Sequence, residues 1–309
     1  MKTAGHDNPG RKSRGYFRLG RGAGKRIICW RSVSCCTILS ISVIFLCAVS
    51  ASFIGRGRMG KTMEKYVLEV CVDSVESALA AKAGGATRLE LCANLVIGGT
   101  TPGYTLFEQI KRETGLPVRT LIRPRFGDFL YTEYEYQQML QDIRHFAQAG
   151  ADGVVIGSLN ADGTLQEEQM RGMIEAAGKC GITLHRAFDV CVDPIAALQK
   201  AEELGVNTIL TSGQEADCLA GSVLLAELVK HSGSLTIMAG AGVTSSNLAE
   251  LAAKTGAHAF HMSGKKMLPS GVCYRNERVH MGLEGLSEFT IYRTDEEEIR
   301  RAAEILKSL

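Results

Sequence analysis

From Tyr66 to the C-terminus the chain repeats one pattern. Short apolar or β-branched runs are each followed by a segment with helical spacing of its apolar residues. Eight runs are predicted as strands: Tyr66–Val72, Arg88–Ala93, Val118–Pro124, Gly153–Ser158, Gly181–Ala187, Thr208–Gly213, Leu235–Gly240 and Ala259–Gly264. Four of the intervening segments end in a glycine joint before the next run, in AGGATRLEL, AGADGVVI, LGVNTIL and TGAHAFHM. That is the turn chemistry of a helix feeding a parallel strand. Helix starts are marked by Ser74 with Glu76, by Asp193-Pro194 and by Thr244. Eight units in about 200 residues predict a closed (β/α)8 TIM barrel over residues 63–309 rather than an open doubly wound sheet. No G-x-G-x-x-G follows the first strand, so the dinucleotide-binding variant is not expected.

Residues 1–62 lie outside this pattern. Residues 1–31 are rich in Gly, Arg and Lys, and are expected to be disordered. An uncharged run follows at about 32–55, flanked by Arg31 and Arg56 and long enough to span a bilayer as a helix. Met63 stands three residues before the first strand and would serve as a start. The reading favoured is a cytoplasmic barrel starting near Met63. The alternative is a form anchored in the membrane through residues 32–55, with membrane contact only if that segment is retained.

Composition narrows the function. The net charge is +2, and most of the basic excess lies before residue 62, which argues against nucleic-acid binding by the barrel. Of ten cysteines, six fall in the barrel, with neither CxxC nor zinc-finger spacing. They read as reduced thiols.

In such barrels the chemistry sits at the C-terminal ends of the strands and in the loops after them. The word E-x-C occurs there on strand one as Glu69 and Cys71, and on strand two as Glu90 and Cys92. Period-two alternation puts each Glu and Cys on one face. If the register aligns them, Cys71 and Cys92 form a two-thiol site suited to Cu(I). Glu69, Glu90, His185 and Asp189 are candidate proton-transfer groups. Arg123 and Arg125 close strand three and suit an anion or a carboxylate. Gly240 and Gly242, before a helix expected from Thr244, together with Ser263, offer backbone amides of the kind that hold phosphate.

The segments EVCVDSVESALAAKAGGATRLELCANLVIGGTTPGY, IRPRFGDFLY, LHRAFDV, LTSG and FHMSG resemble the CutC family over essentially the whole barrel. The resemblance implies an α/β barrel, a largely cytoplasmic location and a homo-oligomer, either dimer or tetramer. It also implies a role in copper homeostasis with Cu(I) as the bound ion, and Cys71 and Cys92 as ligands. Two functional expectations follow. One is intracellular Cu(I) binding through the barrel cysteines. The other is a barrel enzyme of unknown reaction that acts on a small anionic or phosphorylated metabolite.

Overall fold

The computed structural model describes residues 66–309 except Glu277, His280, Leu283 and Glu284. The extension read over residues 1–62, with its hydrophobic run, lies outside the described residues. Among those described, no helix is long and apolar enough to cross a membrane.

Eight parallel strands close into a barrel in chain order. They are β1 (Val67–Val72), β2 (Arg88–Leu91), β3 (Val118–Leu121), β4 (Gly153–Ile156), β5 (Gly181–Leu184), β6 (Thr208–Thr211), β7 (Thr236–Ala239) and β8 (Ala259–Met262). All eight fall within the predicted runs, but most stop about two residues earlier at the C-terminal end. There the chain leaves the ladder to form the mouth loops.

Helices α1 (Val75–Gly84), α2 (Tyr104–Thr114), α3 (Glu133–Gln148), α4 (Glu167–Ala177), α5 (Pro194–Glu203), α6 (Ser222–His231), α7 (Leu248–Thr255) and α8 (Glu296–Ser308) make the outer ring. Their ends are set locally. Ser74 accepts from the amide of Ser77, and Gly85 closes α1 at φ 95°. Asp193 caps α5 with Pro194 at its first turn. A capping box joins Thr132 to Glu135 at α3. The main core lies between sheet and helices, where Leu68, Val70, Val72, Leu89 and Leu91 meet Phe107, Ile110, Met139 and Ile143.

Two elements were not read from the sequence. A two-stranded antiparallel ribbon, β9 (Lys265–Pro269) and β10 (Thr290–Thr294), stands between β8 and α8. The helix expected from Thr244 begins instead at Leu248. The side chain of Asn247 binds the Thr244 amide and the Gly242 carbonyl, and so holds residues 242–247 as a turn.

The inward face of the barrel is layered. Val67, Leu210, Met238 and Ala259 form an apolar floor. Cys92, Leu121 and Val155, with Leu95, form an apolar patch nearer the mouth. Between them the inward positions are charged or polar: Glu69, Arg88, Glu90, Arg119, Thr183 and His261. Barrel interiors are usually filled by branched aliphatic side chains, so this middle layer is a candidate site.

Candidate metal centre and barrel mouth

Glu69 is the pivot of the middle layer and has no solvent exposure. The ladders set it opposite Arg88 on β2 and opposite His261 on β8. One carboxylate oxygen pairs with Arg88 Nε, and the other meets His261 Nδ1 at 2.9 Å. Burial pushes this carboxyl up, but Arg88 and then His261 outweigh it and hold the pKa down at about 2. Glu69 is therefore an anion that orients an imidazole. It is not placed to exchange protons near neutrality.

Cys71 is paired with Glu90, not with Cys92. The two E-x-C words are offset by two residues, because closing a barrel staggers neighbouring strands. The thiols also lean the same way around the ring. Cys71 Sγ reaches the Met262 carbonyl at 3.7 Å, and Cys92 Sγ the Val72 carbonyl at 3.6 Å. The aligned thiol pair of the sequence reading is thus replaced by a thiol–carboxylate pair.

One ligand atom from each of Cys71, Glu90 and His261 lies within 4.8 Å of the others. His261 Nε2 is 3.7 Å from Glu90 Oε2. All three side chains are buried or nearly so, with His261 at 11% and Glu90 at 8% exposure. Burial raises Glu90 to about 7, with Glu69 adding to the rise against His261 and Arg88. Burial disfavours the imidazolium of His261, but the neighbouring Cys71 and Glu90 overturn that and raise its pKa. Burial first, then Glu90 and Cys71, push the Cys92 thiol well up. Cys92 is a protonated thiol against Leu121 and Val155.

His261 carried no role in the sequence reading. A lone histidine within a strand gives no local signal, and its neighbour Glu69 is 192 residues away in sequence. Only barrel closure, which puts β8 beside β1, would have paired them. Arg88 and Arg119 were missed because a basic residue at a strand start usually faces solvent.

The other predicted residues fall elsewhere. Asp189 binds Arg186, Thr211, Ser212 and the amides of Ser212 and Gln214, so it joins the ends of β5 and β6. Arg125 binds Glu135 at 2.6 Å and Asp128 at 2.9 Å on the surface loop after β3. It is engaged by carboxylates of its own loop and helix. Arg123 is buried, and donates to the carbonyls of Gly98, Gly99 and Gly127. His185 is buried at the end of β5, against Phe129.

In the loop after β7, Ala241 and Gly242 are both left-handed, at φ 69° and 75°. Gly240 packs so close to Leu210 that a Cβ would meet it at 2.5 Å. Glu298 of α8 binds the Ser245 amide at 2.7 Å and its hydroxyl at 2.9 Å. An internal carboxylate thus occupies the part of this loop nearest α7. Ser263 follows β8 as a half-buried residue.

A family model described as the CutC family matches residues 66–266. A CutC family protein of Parabacteroides distasonis is 46% identical over 239 residues, covering 76% of this chain and 98% of that protein. A CutC family protein of Vibrio vulnificus is 44% identical over 247 residues, with 79% and 99% covered. The solved structure described as the copper homeostasis protein CutC of Streptococcus agalactiae matches with a TM-score of 0.62 at 28% identity. That match covers 64% of this chain and 98% of the other.

Proposed function

Because the chain belongs to the CutC family, we propose that it acts in copper homeostasis by holding Cu(I) between β8, β1 and β2. Cys71 Sγ and His261 Nε2 are the ligands of this reading, and Cys92 is a further sulfur donor one step up β2. The observation that carries it is the Glu69–His261 contact at 2.9 Å. Metal-binding histidines commonly donate their other ring N–H to a carboxylate, which fixes the ring and leaves the second nitrogen for the ion. Here Glu69 takes Nδ1, and Nε2 is the nitrogen 3.7 Å from Glu90, whose carboxylate clusters with the Cys71 thiol and the His261 ring.

The donor set fits the ion. Thiolate is the soft ligand that selects Cu(I), and imidazole suits copper equally. Glu90 is the hard member, and its carboxyl near 7 is a poor match for Cu(I). Ligation requires the Cys71 thiolate and neutral His261, so binding releases protons.

The test is a titration of the reduced protein with Cu(I) against a chromophoric chelator. Cys71→Ser and His261→Gln should each weaken binding by about tenfold or more, and Glu90→Gln should leave it nearly unchanged. Unchanged affinity in both Cys71→Ser and His261→Gln refutes the site. Strong loss in Glu90→Gln, with Zn(II) bound in preference, reassigns the centre to a harder ion.

Cys71, His261 and Glu69 support an enzymatic reading as well. Thiol, base and orienting carboxylate are the parts of an activated nucleophile. In that reading Cys71 is the nucleophile, His261 its base and Glu69 the residue that positions the base. Iodoacetamide should then alkylate Cys71 in the metal-free protein faster than a free thiol at pH 7, and lose that advantage in His261→Gln. A Cys71 rate no greater than that of a free thiol removes this thiol-nucleophile reading.

A further inference from the structure

On the other side of the mouth, two buried polar atoms have no hydrogen-bond partner: Arg123 Nε and His185 Nε2. An unmet buried donor is costly, and two against the same ring need an explanation.

Two tiers of the barrel wall explain their placement. In the lower tier the ladders set Arg119, Gly153 and Gly181 side by side on β3, β4 and β5. Arg119 reaches across the missing side chains to Thr183 Oγ1 at 2.5 Å. A Cβ on Gly153 or Gly181 would meet the Arg119 side chain at 3.0 Å. Continuing the same registers along each strand brings Arg123, Gly157 and His185 side by side. Gly157 again leaves the space open, since a Cβ there would meet His185 Cε1 at 2.5 Å.

The upper tier differs in one respect. In the lower one an arginine meets a hydroxyl that accepts. In the upper one a guanidinium meets an imidazole that donates. The Ala187 amide donates to His185 Nδ1 at 3.1 Å, so the proton of the neutral ring is on Nε2. Burial, with the nearby Arg123 charge, holds His185 down at about 3, so the ring stays neutral. Both side chains also lie against Phe129. The Arg123 guanidinium carbon is 5.0 Å from the ring centre, and the His185 ring centre is 4.8 Å away. Donors facing donors cannot satisfy one another. The three Arg123 contacts to carbonyls leave its charge without a carboxylate partner among the described residues.

We propose that Arg123 and His185 form a binding site for a small oxyanion whose oxygen accepts from Arg123 Nε and His185 Nε2 above Gly157. The ligand class is a carboxylate or phosphate group. The site shares no residue with the thiol centre, so either can fail without the other.

The test uses the metal-free full chain, with inorganic phosphate and acetate as probes and sodium chloride as the ionic-strength control. Either probe should raise the melting temperature along a saturating curve that chloride does not reproduce. His185→Asn keeps an oxygen that accepts from the Ala187 amide and removes the distal donor. It should lose the saturating rise, or need at least about tenfold more anion for it. Nitrogen-15 spectra of the His185 ring in the unmodified protein give a second readout that does not depend on the variant's folding. The Nε2 signal should move as the probe saturates. An equal rise in His185→Asn, a rise matched by chloride, or an unmoved His185 signal overturns the proposal. If phosphate alone acts, the site is for phosphate groups, and if acetate alone acts, it is for carboxylates.

Discussion

The β8–β1–β2 side of the mouth and the β3–β5 side are built on the same ladder, yet they ask for opposite things. The first collects a thiol, two carboxylates and an imidazole around a single arginine. Its charges are matched internally, and it presents lone pairs. The second brings together a guanidinium and a neutral imidazole, and presents unmet N–H donors and a net positive charge. The difference teaches that barrel geometry fixes where side chains meet, whereas the balance of donors and acceptors in each row decides what kind of guest that row accepts.

The contrast breaks most sharply at Arg88. Replacing it with methionine leaves the Glu69 carboxylate buried without its strongest partner. Urea denaturation should show a loss of about 3–5 kcal/mol. A loss below about 1 kcal/mol would mean that Glu69 does not carry its charge in the folded protein. Next comes pH. Glu90 is raised from 4.5 to about 7, so the stability it confers is complete below its unfolded value and disappears as pH rises through 7. The shift corresponds to about 3 kcal/mol. Glu90→Gln should therefore match the parent near pH 4.5 and exceed it above pH 7. Glu69 runs the other way. Its contribution is complete above its unfolded value and is lost as pH falls toward 2. An identical pH profile in Glu90→Gln would refute the assignment.

A smaller effect is expected from Glu69→Gln on copper. The ring of His261 keeps an acceptor but loses the anion that makes Nε2 a better ligand. Cu(I) affinity should drop by about 10–100-fold, measured by chelator competition. An unaltered affinity would place the ion elsewhere. The smallest effect belongs to the exposed pairs after β3. Arg125→Ala breaks contacts to Glu135 and Asp128 at the surface, and should cost about 1 kcal/mol or less. A larger loss in thermal denaturation would show that this loop supports the Arg123 side.

The barrel itself was legible in the sequence, because strand and helix periods, caps and glycine joints are local signals. Each of β1 to β8 falls within its predicted run. The site was legible in part. That Glu69 shares a face with Cys71, and Glu90 with Cys92, follows from alternation along one strand, but their partners on neighbouring strands do not. The two-residue offset between the E-x-C words follows from barrel stagger, and no single strand records it. His261 joins Glu69 only because the last strand closes on the first. Arg123 and Arg125 looked equivalent in RPRF, yet one turns inward and the other engages Glu135. The ribbon β9–β10 escaped notice because KKMLP shows no alternation, and every one of its residues is exposed.

Gly153, Gly157 and Gly181 have a consequence out of proportion to their size. A methyl group added at Gly153 would meet the Gly181 carbonyl at 2.7 Å and the Arg119 side chain at 3.0 Å, on the path that Arg119 takes to Thr183. Its effect would fall on both neighbouring strands, on the backbone of β5 and on the charged side chain that β3 sends across the row. In this protein the location of an interior charge is written partly in residues that carry none, and an alanine on β4 would disturb that charge as well as the backbone beside it.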